Sequence, residues 1–169
     1  MQVDAKGILY MIAKRFDLKR DSIEDRLKLQ KTIYLLEAYG MQLGYGFSWY
    51  KYGPYSQDLV RDAYTVLRSE KNVYENATSS WRFSETTEGK IGEFKNNYAS
   101  VLDDLQQLEL VASVDFVCST WQPDFKNEDD FVGIFKNHKT EYLDKTKIDD
   151  DEIKKAFVIS KELRRAGNT

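Results

Sequence analysis

Apolar residues return every three or four positions along much of this chain, the spacing that turns one face of an α-helix toward a core. Ile8, Leu9, Ile12, Ala13 and Phe16 predict a first helix over residues 4–17, with Asp4 as its N-cap. Ser22 and Asp25 have the spacing of a capping box, with Asp where Glu or Gln is usual, and so mark the start of a second helix. Over residues 25–39, Leu29, Ile33 and Leu36 form one stripe, and Tyr34, Leu35 and Ala38 fill in beside it. A helix apolar around most of its circumference belongs at the centre of a core. Gly40 and Gly44 close it.

The period changes at residues 47–52, Phe-Ser-Trp-Tyr-Lys-Tyr, a run too short and too aromatic for another helix and therefore read as a strand. Gly53 and Pro54 follow as a corner: the proline ring fixes its own φ and pushes Gly53 toward extended geometry. Ser56 is placed to cap the donors of Asp58 or Leu59, so a third helix begins near Tyr55. Leu59, Ala63, Val66 and Leu67 give that helix a core face, with Gln57, Asp58, Arg61, Asp62 and Arg68 on the solvent side. Beyond it, residues 73–75 and 81–85 flank an Asn-Ala-Thr-Ser-Ser turn. Trp81 and Phe83 alternate with polar neighbours as a half-buried strand requires, which predicts a small antiparallel β-hairpin over residues 73–85. Two helices, a short strand, a helix and a hairpin are the content of a winged-helix-like half, residues 1–90.

From residue 87 the stripe Ile91, Phe94, Tyr98, Val101, Leu105 and Leu108 reads as a core-facing helical region, interrupted near Asn96-Asn97 and too short for a coiled-coil seam. Residues 108–118 continue as a buried helix that Gln122, Pro123 and Asp124 end. A helix over residues 130–143 places Phe131, Ile134, Phe135 and His138 on one side. The last helix has Asp149, Asp150, Asp151 and Glu152 at its start, and Ile153, Ala156, Phe157, Ser160 and Leu163 on one face. Arg164 and Arg165 fall in its final turn before Gly167. The expected architecture is mainly α with a small antiparallel β-hairpin (α+β): one domain over residues 1–169, whose residues 91–169 form a helical extension packed on the winged-helix-like half.

Composition narrows the function classes. At 169 residues and 41% hydrophobic the chain can bury a full core. A lone Cys118 excludes an intramolecular disulfide and fits a reducing, cytoplasmic setting. Residues 1–16 mix Asp4, Lys6, Lys14 and Arg15 into their apolar positions, unlike a secretory signal or a membrane span. The net charge is −3, but residues 1–90 hold 14 Lys/Arg against 12 Asp/Glu, and residues 91–169 hold 11 against 16. That balance is not the footprint of a dedicated nucleic-acid binder, yet it leaves room for a local basic face. Were residues 55–70 to enter a DNA groove as a transcriptional regulator's helix does, Arg61, Arg68, Lys71 and Arg82 would be its phosphate contacts, with Asp58, Asp62 and Glu70 lying among them.

Reactive chemistry is sparse. His138 is the single histidine, and only Cys118 offers it a partner for a metal or nucleophile pair. Residues 149–152 lack the alternating oxygen ligands and central glycine of a calcium loop and read as a helix start. No phosphate-cradling glycine loop, nucleophile elbow or zincin motif occurs, so no catalytic residue, metal site or cofactor is expected. The aromatic run Tyr45, Phe47, Trp49, Tyr50, Tyr52 and Tyr55 does point somewhere. Alternate members face out, exposing a tyrosine-rich patch suited to a protein partner, a second copy of the chain or a stacked nucleobase. Gln30, on the buried second helix, contacts either the backbone of the turn or that partner. The expected partner surface is Gln30, Trp49, Tyr50, Tyr52, Gly53, Pro54, Tyr55 and Ser56, and the same corner also serves the geometry of a strand-to-helix junction.

Leu29-Gln30-Lys31-Thr32-Ile33-Tyr34-Leu35-Leu36, then residues 47–56 with Gly53-Pro54-Tyr55-Ser56, then Leu59, stand in the order seen in one group of bacterial proteins. The chain resembles the YwgA-type proteins and, more distantly, the Panacea or SocA-like antitoxin domain family. There a helix reading roughly leucine-glutamine-lysine-leucine-x-tyrosine precedes an aromatic strand and a tyrosine-glycine-proline turn. Residues 108–113 and Ala156 are similar to later helices of YwgA-like proteins. Tyr55-Ser56 replaces the small aliphatic residue common after Gly-Pro in the Panacea domain and favours the YwgA branch. The resemblance implies a non-catalytic regulator in a toxin-antitoxin or phage-defence setting, a bacterial antitoxin or proteolytic adaptor that touches a toxin, a protease or another defence component directly.

Overall fold

The computed structural model describes residues 4–68, 73–138 and 147–169. Helix α1 (Ala5–Arg15) opens where the Asp4 carboxylate accepts the Lys6 N–H at 3.0 Å. Helix α2 (Ile23–Ala38) opens in a reciprocal box: Ser22 Oγ accepts from the Asp25 N–H and the Asp25 carboxylate accepts from the Ser22 N–H, both at 3.0 Å. Strands β1 (Ser48–Tyr50) and β2 (Gly53–Tyr55) pair antiparallel, and α3 (Gln57–Val66) starts at Ser56, whose Oγ accepts the Leu59 N–H. Then come α4 (Val73–Ala77), α5 (Glu85–Asn97), α6 (Ala99–Leu102), α7 (Leu105–Phe116), α8 (Glu128–His138) and α9 (Asp150–Gly167). The described fold is mainly helical with one two-stranded antiparallel hairpin.

Helix α7 is the centre. Every residue from Leu108 to Phe116 is buried, the signature of a helix packed on all sides, and it touches α2, α9, α6 and β2. Helix α1 lies on α3, and α8 lies on α9. A single apolar cluster takes in Ile12, Leu36, Leu59, Phe94, Val111, Phe135 and Leu163, so the halves before and after residue 90 share one core. The long helical region breaks at Tyr98 and again at Asp103-Asp104, where Asp104 caps α7 by accepting from the Gln106 and Gln107 N–H groups. At its far end the helix widens into a π turn (Val117–Trp121): the Gln122 N–H reaches back five residues to Val117 O, and Ser119 Oγ takes the Asp115 carbonyl at 2.6 Å.

Two expectations change. The hairpin lies between α2 and α3, not over residues 73–85. That stretch holds the short helix α4 and irregular chain, so the winged-helix-like reading loses the wing expected there. Trp81 finds its burial against a helix instead of a neighbouring strand: its ring lies over Gly7 of α1, where a Cβ would collide with it. Second, Gly53 and Pro54 are not the corner but the start of β2, and the tight loop is Lys51-Tyr52, closed by the Tyr50–Gly53 pair. Pro54 is tolerated because alternate pairs of an antiparallel ladder exchange no hydrogen bonds, so its missing N–H costs the strand nothing. For the expected helix over residues 130–143, positions 139–143 fall outside the described residues.

Candidate functional site

The hairpin is held from behind by two buried polar residues of α2. Gln30 donates from Nε2 to Ser56 O at 2.9 Å and accepts the Ser56 N–H on Oε1 at 3.0 Å, an amide imitating a neighbouring strand. Lys31 Nζ donates to Pro54 O at 2.7 Å. The outer edge of β2 is thereby satisfied without water. Gly53 sits at φ +92°, and a Cβ there would run into Ser113 Oγ of α7, so β2 lies flat on the central helix.

Strand alternation then divides the aromatic run. Tyr50 and Tyr55 share one face, their rings 5.3 Å apart, while Trp49 turns to the other and packs on Phe116 and Trp121. The Tyr50 face closes one end of a groove of about 400 Å³ between α2 and α3. Leu27, Leu29 and Ala63 contribute to its apolar lining. Several of its walls are bulky and open: Tyr50 is 63% exposed, Ile23 61% and Tyr64 50%. The lining carries three cations, Arg20, Arg26 and Lys31, and no carboxylate. The Arg20 guanidinium lies over the Tyr64 ring, 4.4 Å from its centroid.

Of the expected partner surface, Tyr50, Tyr52, Gly53 and Tyr55 line this groove. Gln30 lines it as well, but both ends of its amide are committed to Ser56. Pro54, within β2, and Ser56, just after it, are buried, and Trp49 belongs to the aromatic cluster on the hairpin's far side, which His138 joins through Trp121 at 4.8 Å. The cations read as phosphate contacts are otherwise engaged. Arg61 pairs with Asp58 at 2.6 Å, Arg68 lies by the Tyr64 ring, and Arg82 donates to the Ser79 and Trp81 carbonyls of its own loop. Arg82 also lies apart from the groove, lining a second depression of mixed character with Lys14, Glu75, Glu88, Tyr10 and Trp81. Lys71 is outside the described residues. The groove walls Ile23, Val60 and Tyr64 had one sequence signal, an i, i+4 apolar pair, Val60 and Tyr64, on an otherwise polar helix face.

A second constellation fixes the helices behind the hairpin. Asp115 is fully buried on α7 and accepts four short hydrogen bonds from α9 and α2, namely Arg164 Nε at 2.7 Å and Nη2 at 2.6 Å, Ser160 Oγ at 2.8 Å and Tyr34 OH at 2.7 Å, with Ser119 Oγ further off at 3.5 Å. The fork of two parallel N–H bonds is the strong form of an arginine–carboxylate pair. Burial, with the Asp115 charge beside it, drives the Tyr34 phenol well above its usual range, so it stays a donor. The clasp joins α2, α7 and α9, with the Asp115 carboxylate buried and the Arg164 side chain part-exposed at its outer edge.

Cys118 stands one turn on. Burial first, and Asp115 second, push its thiol up to about 12. The thiolate fraction at pH 8 should fall roughly a thousandfold below that of an ordinary cysteine, so reaction with a disulfide reagent in native buffer should be slow and should become fast in 6 M guanidinium. Equal rates in both solvents would contradict the burial. Among the described residues no group of three or more His, Cys, Asp or Glu side chains is arranged to hold a metal ion, and no described helix is long and apolar enough to cross a membrane. Comparison with family models, with curated proteins and with solved structures gives no match.

Proposed function

We propose that the chain is a non-catalytic protein-binding regulator, of the antitoxin or proteolytic-adaptor kind that its resemblance to YwgA-type and Panacea or SocA-like proteins implies, and that its partner docks in the groove between α2, α3 and the hairpin. The observation that carries this reading is the groove itself: exposed Tyr50, Ile23 and Tyr64 around an apolar hollow of about 400 Å³, on a frame fixed by Gln30, Lys31 and Gly53. Tyrosine on a rigid support contributes large contact area at small entropic cost, which is why it is enriched where proteins meet. Clustered exposed apolar side chains of this size mark an interaction site more often than scattered ones do.

The test compares wild type with Val60→Asp, which puts a charge in the groove at a position already 37% exposed and so leaves the core alone. Purified from its host, wild type should elute with a partner at a stoichiometric ratio, and the variant, melting at the same temperature, should elute alone. A wild-type protein that recovers no partner, or a variant that retains it, contradicts the reading.

A further inference from the structure

We infer that the occupant of the groove is a short amphipathic protein segment that inserts bulky apolar side chains between α2 and α3 and sets a carboxylate against Arg20 and Arg26. The inference rests on the docking reading above and adds the chemistry of the partner. Its ground is charge. In a chain with 28 Asp and Glu against 25 Lys and Arg, the groove is lined by three cations and no acid. Lys31 is turned inward to the Pro54 carbonyl, which leaves the two arginines at the α2 end. Neither forms an ion pair among the described residues. Asp21 and Glu24, beside the arginines in the chain, are exposed and do not line the groove, and other acids of α2 and α3 are engaged: Asp25 in the capping box, Asp58 with Arg61, and Asp62 with the Tyr45 hydroxyl.

Arg20 is held in place: its guanidinium plane rests against the Tyr64 ring. Its Nε is buried, so a carboxylate arriving from the groove would meet the terminal nitrogens, a planar pair of donors that lysine lacks.

The mode of binding follows from what is already occupied. Gln30 and Lys31 take the outward backbone groups of Pro54 and Ser56, so a partner strand cannot extend the sheet along β2. What remains open is side-chain insertion between two i, i+4 apolar pairs, Ile23 and Leu27 on α2 and Val60 and Tyr64 on α3. That is the groove mode of peptide recognition, and the volume lies in the ~300–1,000 Å³ range of sites that bury most of a ligand.

The experiment is selection of a random 16-residue peptide display library on the full chain, followed by anisotropy titration of synthesised winners. Selected peptides should share apolar residues three or four positions apart and one Asp or Glu. Their affinity should vanish in Val60→Asp, and should fall roughly tenfold in Arg20→Gln/Arg26→Gln or when the peptide acid becomes its amide, with no further loss when both changes are combined. Winners that need Val60 but show no acid and bind the double arginine variant normally overturn this inference while leaving the docking reading intact. No Val60-dependent peptide, with no partner in the host experiment, overturns both. A dimer by light scattering that Val60→Asp dissolves, or groove binding by a decanoate probe with no peptide selected, also overturns it, in favour of a second copy or a free amphiphile.

Discussion

Arg164→Met is expected to lower the unfolding free energy by about 3 kcal/mol, one of the two largest losses foreseen here for a single side chain, although 41% of the Arg164 side chain is exposed. The cost arises at the other partner. Asp115 has no contact with solvent, and without the guanidinium it keeps only neutral hydroxyls, those of Ser160 and Tyr34 and, at 3.5 Å, Ser119, to offset a buried charge. A salt bridge between two exposed groups would be worth about 0–1 kcal/mol. Removing one member of a buried pair costs about 3–5 kcal/mol because the survivor is stranded, and Arg164's partial exposure places this case at the low end. The same reasoning makes the pair replaceable: Asp115→Leu/Arg164→Met should recover most of the loss, since no charge is left behind. Urea midpoints of the two single variants and the double one check it. A single variant within about 1 kcal/mol of wild type would show that the clasp is not what joins α7 to α9.

Gly53→Ala should cost about 2–5 kcal/mol from two separable sources. An L-residue held at φ +92° gives up roughly 1–2 kcal/mol, and a methyl forced onto Ser113 Oγ adds an overpacking cost of about 1–3 kcal/mol. Ser113→Gly in the same chain removes the collision and should return that second part alone. Four urea curves resolve the cycle, and full recovery in the double variant would mean that the backbone conformation carries no cost. The consequence reaches the groove. Displacing Gly53 from α7 moves the hairpin that carries Tyr50 and Tyr55, so peptide binding should weaken even under conditions where the variant is folded.

What could be read from the sequence was what depends on neighbours in the chain. The caps at Asp4, Ser22, Ser56 and Asp149 are decided within three residues, and each starts a helix as expected. The burial of α7 follows from its near-continuous apolar run, and that of the latter half of α2 from Ile33-Tyr34-Leu35-Leu36. Strand β2 was not legible, because Gly53-Pro54-Tyr55 ahead of a capping Ser56 is locally a corner. Three residues become a strand there only when Gln30 and Lys31, more than twenty positions earlier, occupy the free edge. Residues 73–85 misled for the converse reason: the alternation of Trp81 and Phe83 is real, but the surface receiving Trp81 is α1 at Gly7. Asp115 and Arg164, 49 positions apart, each had a local explanation, one an isolated acid in an apolar run and the other a cation suited to a helix end. Only the packing of α9 on α7 shows that they belong together. The groove divided likewise. Tyr50, Tyr52 and Tyr55 were among the residues named for a partner surface, as was Trp49, which turns to the other face, whereas Ile23, Val60 and Tyr64 were assigned to no face at all.

A photo-reactive benzoylphenylalanine placed at Val60, with the same residue placed at Val158 on α9 for comparison, would probe the groove inside host cells. Both sites are open to solvent, 37% and 42% exposed, and differ in that only Val60 lines the hollow. Irradiation should yield one discrete protein adduct from Val60, lost with Arg20→Gln/Arg26→Gln, and none from Val158. The absence of an adduct at Val60, or the same adducts from both positions, would contradict a partner docking between α2, α3 and the hairpin.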